Sequence, residues 1–247
     1  MGASVLTNLR KRIQNRIFLN SSRVHLERFN REFAKTMLPS DRVLDAGAGI
    51  APYKAYFQHL QYESADFEQV DKPYAKSTYV CDLCDRIPVE DGRFNNIVFN
   101  QTLEHLKEPA KALSELYRVL APNGRILCSV PLFYQEHEQP YDFFRYTQFG
   151  LGYLFAEAGF EVERIEWLEG FFGTSAYMFQ TMYYYLPARL RGSPFLSLFA
   201  TPFLIATRAI ALFAAAILYR LDLCWKVTHI GFPKNYVVMA RKPEKKN

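Results

Sequence analysis

Five residues, Asp45-Ala46-Gly47-Ala48-Gly49, constrain this chain more than any other stretch. They follow the short apolar run Val43-Leu44 and precede Ile50-Ala51-Pro52-Tyr53, so the pattern reads as a strand, a tight turn and the start of a helix. Glycines at 47 and 49 allow positive φ and remove a Cβ where a backbone comes close to a ligand. A dinucleotide-binding turn would carry a third Gly or Ala where this chain has Pro52. Proline suits the first turn of a helix but serves poorly the close helix–strand packing around a pyrophosphate. A cofactor without a pyrophosphate is therefore expected.

Strand-like and helix-like patterns alternate from Val43 to Val130, which predicts an α/β, doubly wound, parallel sheet. Strands are expected at 43–46, 62–66, 79–81, 94–100, 125–130, 160–167 and 236–241. Helices are expected at 22–37, after Pro52, at 110–120, and from an N-cap at Thr147 to Ala158, with Gly159 as the stop. Ligands of such sheets bind beyond the carboxyl ends of the strands, where the glycines, Asp66 and Asp82 all fall. Asp66 lies about twenty residues beyond Asp45 at the end of the second strand, where a carboxylate can accept both ribose hydroxyls of a nucleoside. Glu68 is its nearest competitor.

The glycine turn, Asp66, Asp82-Leu83, the run Leu103-Glu104-His105, and the order Arg118-Val119-Leu120, Pro122-Asn123-Gly124, apolar strand, Pro131 together resemble the class I S-adenosylmethionine (SAM)-dependent methyltransferases. The resemblance covers residues 43–167 and the last strand. It implies a Rossmann-like seven-stranded sheet with an antiparallel last strand, SAM as cofactor, and methyl transfer as activity. It further implies that the carboxypropyl end of SAM lies beside Gly47 and Gly49, with Asp45, Asn100 and Gln101 also on the cofactor, the adenine amine on Asp82, and Leu83 lining the adenine pocket. Asn96 stands where the family commonly has Asp, away from that cofactor face.

The loop at 137–147 resembles the substrate-side loop of methyltransferases that modify saccharides or other small acceptors. Its Tyr141, Asp142, Arg145 and Tyr146 are the expected acceptor contacts. His137, in that loop, and His105, at the lip of the fourth strand, are the candidate general bases for an alcohol acceptor.

In this family the sixth strand turns back at once into the seventh, whereas here a long insertion intervenes. The chain thus divides into N-terminal helices (1–38), a SAM-binding core (39–170), a hydrophobic helical insertion (171–232), and the last strand with a basic tail (233–247). Residues 195–219 are long enough to span a bilayer but contain Pro202 and Arg208. Because both ends of the insertion return to one sheet, it crosses a membrane twice or not at all. Residues 171–186 are too short and too hydroxyl-rich for a second span, and Tyr177, Tyr183, Tyr184 and Tyr185 suit the headgroup level. A monotopic pair of helices is expected, dipping into one leaflet with Arg189, Arg191, Arg208 and Arg220 on phosphates. The alternative is that these helices cover the sheet or form a homodimer interface.

The net charge of +5 is concentrated at the two ends. Residues 5–18 read as a basic amphipathic helix, with Val5, Leu9, Ile13 and Ile17 interleaved with Arg10, Lys11, Arg12 and Arg16. Basic ends beside apolar stretches favour an anionic membrane surface over nucleic acid. Nucleic-acid methylation also lacks an Asn-Pro-Pro-Tyr-type motif or a zinc ribbon. The four cysteines are too scattered for a disulfide framework and indicate a reducing compartment. Cys81-Asp-Leu-Cys84 lacks a second ligand pair, so no metal site is expected. No signal-peptide apolar region is read at the N-terminus, so the catalytic part is expected on the cytoplasmic face of a membrane. The expected function is O-methylation of a lipid or lipid-linked saccharide there. One alternative is a quinone-like or other apolar small-molecule acceptor; another, of a different class, is a membrane-docked interaction protein that keeps the fold without turnover.

Overall fold

The computed structural model describes residues 20–187 and 194–244. The basic helix expected at 5–18, together with Arg189 and Arg191, lies outside them. In chain order the elements are α1 (Ser21–Lys35), β1 (Arg42–Ala46), β2 (Gln61–Asp66), β3 (Tyr79–Val80), β4 (Phe94–Asn100), α2 (Pro109–Val119), β5 (Leu120–Pro131), α3 (Gln148–Glu157), β6 (Glu161–Trp167), α4 (Phe171–Tyr185), α5 (Pro194–Cys224) and β7 (Asn235–Arg241). The strands form one seven-stranded sheet in the order β3-β2-β1-β4-β5-β7-β6. All pairings are parallel except those of β7, which runs antiparallel to both β5 and β6.

The central strands are near-continuous apolar runs because helices cover both faces of the sheet. Successive side chains point to opposite faces, and the core divides accordingly. Leu44, Ile97, Phe99, Ile126 and Cys128 pack with Leu113 and Leu116 of α2 and with Leu151 and Phe155 of α3. Val43, Val98, Leu127 and Val237 face the other way and pack with Leu26, Phe33 and Met37 of the first helical segment.

Two local expectations are corrected. No α-helix follows the glycine turn; a single 3-10 turn, Lys54–Phe57, stands there. The connection to β2 is short, its aromatic residues are middling helix formers, and Phe57 is drawn fully into the core. Strand β5 begins at Leu120, before the turn at Pro122-Asn123-Gly124, which becomes an irregularity within the strand. Its pairing shifts register between Phe94 and Asn96, and Asn123 takes a φ of 62°. Asn96 is buried, and its amide donates to Asp41 Oδ2 at 3.2 Å.

The chain divides into two compact units. Among the described residues, the sheet unit comprises 26–168 with 234–244, and the helical unit comprises 20–25 with 169–187 and 194–233. Within the helical unit, α4 and α5 pack around Ala176, Ala215 and Tyr219. Fully buried Asp222 accepts from the Gly170 N–H at 2.9 Å and lies 3.2 Å from His25 Nε2. Helix α5 keeps Pro202 inside it, and its Ser197–Cys224 stretch is long and apolar enough, by length and composition, to cross a membrane. Arg208 is not turned outward as expected. Its guanidinium donates to the Leu186 carbonyl at 2.6 Å, capping the C-terminus of α4, and stacks over Tyr183. Arg220 donates to Ala216 O, one turn back along its own helix, at 2.9 Å.

Candidate active site

The glycine turn sits at the carboxyl end of β1. Gly47 has a φ of +72° and Gly49 of +53°, the left-handed region that favours glycine. A Cβ on Gly47 would lie 2.2 Å from both Oγ1 and Cγ2 of Thr102, so the turn and the segment after β4 meet backbone to side chain. The Gly49 N–H donates to Asp66 Oδ2 at 2.7 Å and the Glu68 N–H to Asp66 Oδ1 at 3.1 Å. Asp66 thereby fixes the turn against the end of β2.

A cleft of about 740 Å³, counting its open mouth, lies against this edge. Of the residues singled out in the sequence, Gly47, Asp66, Asp82, Leu83, Gln101, His105 and Tyr141 line it. Asp82 is held by the Cys84 N–H, 2.8 Å from its Oδ1, and Leu83 is buried beside it. A nucleoside fits this donor set, with acids at the ends of β2 and β3 and an apolar floor between them. A second group of lining residues, Phe67, Val70, Lys72 and Tyr74, comes from the loop between β2 and β3. Lys72 Nζ reaches Glu138 Oε2 across the cleft at 2.5 Å, and the rings of Phe67 and Tyr141 meet edge to face at 5.7 Å. Sequence reasoning passed over this loop, although apolar and aromatic residues in a polar connection just after Asp66 were a usable signal.

Asp45 and Asn100 do not line the cleft. Asp45 is buried at the end of β1, accepts from the Tyr62 hydroxyl at 2.6 Å, and is pushed up to about 6 by burial. Asn100 joins α1 to the sheet: its amide donates to Asn30 Oδ1 at 2.9 Å and its Oδ1 accepts from Ser129 at 2.9 Å.

The two histidines, far apart in sequence, come together with ring centroids 4.7 Å apart. His105 Nδ1 is 2.5 Å from the Tyr141 carbonyl, so it carries the proton and leaves Nε2 as the lone-pair nitrogen. Burial pushes the His105 pKa down, which keeps the ring neutral. His137 Nδ1 faces Gln135 O at 3.2 Å and Asp142 Oδ2 at 3.3 Å. Asp142 in turn takes two bonds from Arg145, at 2.6 and 2.8 Å, and one from the His137 N–H. Those bonds hold its carboxyl down to about 2. Asp142 and Arg145 therefore shape the loop behind His137, while Tyr146 is buried with its hydroxyl on Leu103 O at 3.1 Å. Between the histidines and the core lies Glu104, fully buried and pushed up to about 8 by that burial.

Comparison with known proteins agrees with this geometry. A family model described as a methyltransferase domain matches residues 20–165. A Mycolicibacterium smegmatis protein named as a probable SAM-dependent methyltransferase is 31% identical over 134 residues, covering 49% of this chain and 52% of that protein. A ubiquinone/menaquinone biosynthesis C-methyltransferase, UbiE, of Desulfotalea psychrophila is 29% identical over 98 residues, 35% of this chain and 40% of that protein. The chain thus spans about half the length, or less, of the curated relatives it matches. Among solved structures, the Burkholderia thailandensis 1,6-didemethyltoxoflavin-N1-methyltransferase, with 1,6-didemethyltoxoflavin and S-adenosylhomocysteine bound, shares the fold. Its TM-score is 0.51 at 18% identity, covering 88% of this chain and 78% of that one. The glycine turn, the acid-lined cleft and the match over most of the sheet unit lead to one assignment: the chain belongs to the methyltransferase domain family.

Proposed function

We propose that this methyltransferase O-methylates a lipid or lipid-linked saccharide at the cytoplasmic face of a membrane. Bound SAM supplies a methyl group on an electrophilic sulfonium. In this reading the Gly47–Gly49 backbone receives the carboxypropyl end, Asp66 the ribose hydroxyls, Asp82 and Leu83 the adenine, and Gln101 flanks the methyl-bearing side. Methyl transfer is an in-line displacement, so the chain contributes chiefly position and exclusion of water. Tyr141 and the loop behind it orient the acceptor. Neutral His105, or His137 beside it, takes the acceptor hydroxyl proton as the new C–O bond forms.

The observation that carries the membrane part is the apolar surface of α5. Phe195, Leu198, Phe199, Phe203, Ile210 and Phe213 are all exposed. A run of that kind on one helix is far larger than the scattered apolar residues of ordinary surfaces. Helix α4 is too short to span a bilayer, so the pair is read as monotopic. Flotation of the purified chain with vesicles containing anionic lipid tests this reading. Protein that stays at the bottom of the gradient removes the membrane, and a concentration-dependent dimer under the same conditions assigns the apolar face to a second copy. Lipid extracts of cells with and without the gene, compared for a mass difference of one CH₂, identify the acceptor class.

A quinone-like acceptor is the second reading, favoured by the partial likeness to UbiE. It predicts methylation in the isoprenoid-quinone fraction rather than in glycolipids. A chain that fails to bind SAM in a calorimetric titration would instead be an interaction protein on the same fold.

A further inference from the structure

We propose that Glu104, His105 and His137 form a divalent-cation site beside the cofactor cleft. Each offers one ligand atom, and the three atoms lie within 4.8 Å of one another. His105 itself lines the cleft, so an ion held here would stand at its wall.

Three observations point the same way. First, Glu104 is fully buried, and neither carboxylate oxygen has a hydrogen-bond partner. A buried carboxylate is normally hydrogen-bonded, paired or bound to a metal, because leaving it bare forfeits its hydration with no return. The nearby Arg145 guanidinium is bonded to Asp142, not to Glu104. Second, both imidazoles are braced in the manner of metal ligands. Such histidines usually give their other ring N–H to a carbonyl or carboxylate, which fixes tautomer and orientation. His105 does so to the Tyr141 carbonyl, and His137 faces the Gln135 carbonyl and the Asp142 carboxylate. His105 Nε2 is then directed toward Glu104, 3.8 Å from its Oε1. Third, the donor set is chemically coherent. Two neutral imidazoles and one carboxylate suit zinc or another late first-row dication, and three protein ligands leave a position open for water or substrate.

Ligand atoms bound at about 2.1 Å around a tetrahedral ion stand about 3.4 Å apart, so the three must draw in by about an ångström. The segments bearing them are a 3-10 turn and a loop. An acceptor hydroxyl in the ion's open position would have its pKa lowered and its oxygen held in place, its proton passing to solvent; with the ion bound, His105 and His137 serve as ligands in place of the proton-accepting role given to them above. That use rests on the acceptor reading above; the binding of the ion does not.

The test uses the full chain, stripped with a chelator and titrated with Co²⁺ followed by visible absorption, then back-titrated with Zn²⁺. The expected result is one equivalent of Co²⁺ with d–d bands of an N/O site, displaced by Zn²⁺, and a melting temperature raised by the ion. Glu104→Gln and His137→Asn should each weaken binding at least about tenfold and abolish the thermal shift. Circular dichroism and cooperative unfolding certify the fold of each variant, and His137→Asn, at a half-exposed position, keeps the test open if the buried variant misfolds. A wild-type chain that binds SAM but no stoichiometric cation, or folded variants that bind it as tightly, would overturn the site while leaving methyl transfer intact. Stoichiometric binding in a chain that methylates no hydroxylated lipid supports the site and removes the acceptor reading instead.

Discussion

Gly47 and Thr102 are packed so closely that the Cβ of any other residue at 47 would fall 2.2 Å from the Thr102 side chain. The φ of +72° adds backbone strain to that overlap. Gly47→Ala is expected to destabilise the fold by about 2 to 4 kcal/mol and to weaken SAM binding by tenfold or more. Thr102→Gly should recover part of both losses. Chemical denaturation with a calorimetric SAM titration measures the pair, and a wild-type SAM affinity in Gly47→Ala would refute the contact as a determinant of the cofactor seat.

Lys72 and Glu138 bridge two loops over the cleft. Both are partly exposed, with side chains 32% and 27% accessible, so their pairing contributes about 0.2 to 1 kcal/mol. Lys72→Met should therefore raise the KM for SAM about two- to fivefold with little change in kcat. The effect of salt on KM should shrink in the variant, because the screened interaction is gone.

Asp45 gives the stability curve a definite sign. Its folded-state pKa stands at about 6 against an ordinary value of 3.8. The folded chain therefore holds a proton that the unfolded chain has already released, and this residue's contribution falls as pH rises between those two values. The loss amounts to about 2 to 3 kcal/mol and is complete above the folded pKa. Asp45→Asn, which can still accept from Tyr62, should show a flatter stability profile between pH 4 and 6 than wild type. Parallel profiles would disprove the assignment.

Asp222 is the fixed point of the helical unit, accepting from Gly170 and facing His25 with no exposure to solvent. Asp222→Ala should destabilise that unit by about 2 to 4 kcal/mol, because it strands buried donors. Hydrogen exchange at the first turn of α4 should accelerate first, and unchanged protection there would count against this role.

The apolar face of α5 offers a substitution that spares the fold. Phe203 and Phe213 are 72% and 69% exposed, so replacing both by Asp leaves the helical core intact. The double variant should lose most vesicle flotation while keeping its melting temperature within about 2 °C. Flotation equal to wild type would separate membrane binding from this face.

Most of the sheet could be read from residues alone because its strands obey simple rules. Val43-Leu44 and Ile97-Val98-Phe99 are short apolar runs bounded by polar and turn residues, the pattern of buried strands. The helix after Pro52 failed because capping chemistry was read without regard to chain length: the next strand begins too soon, and Phe57 is worth more in the core than in a helical turn. The candidate site was legible in its parts and illegible in its joins. His105 and His137 were each named, but only the return of the 137–147 loop over the end of β4 puts their rings together. Polar clusters in sequence carry no sign of their internal bonds: Asp142 and Arg145 pair with one another, while the Tyr146 hydroxyl goes to the Leu103 carbonyl. Glu104 enters the sequence reading only as part of the Leu103-Glu104-His105 run and with no role of its own, since an acid beside a histidine in a helical pattern reads as solvent-facing. Arg208 read as a phosphate ligand for the same reason, until α4 supplied a carbonyl and an aromatic face for it.

The antiparallel placement of β7 has one more consequence. The Leu168 N–H donates to the Asn235 carbonyl at 2.9 Å, so the whole intervening segment leaves and re-enters the sheet at neighbouring points. Such a doorway is indifferent to what hangs from it. Segments of quite different size and polarity could be exchanged there without moving any strand out of register, which makes the rim of this sheet a place where a lineage can retarget one unchanged chemistry to new surroundings.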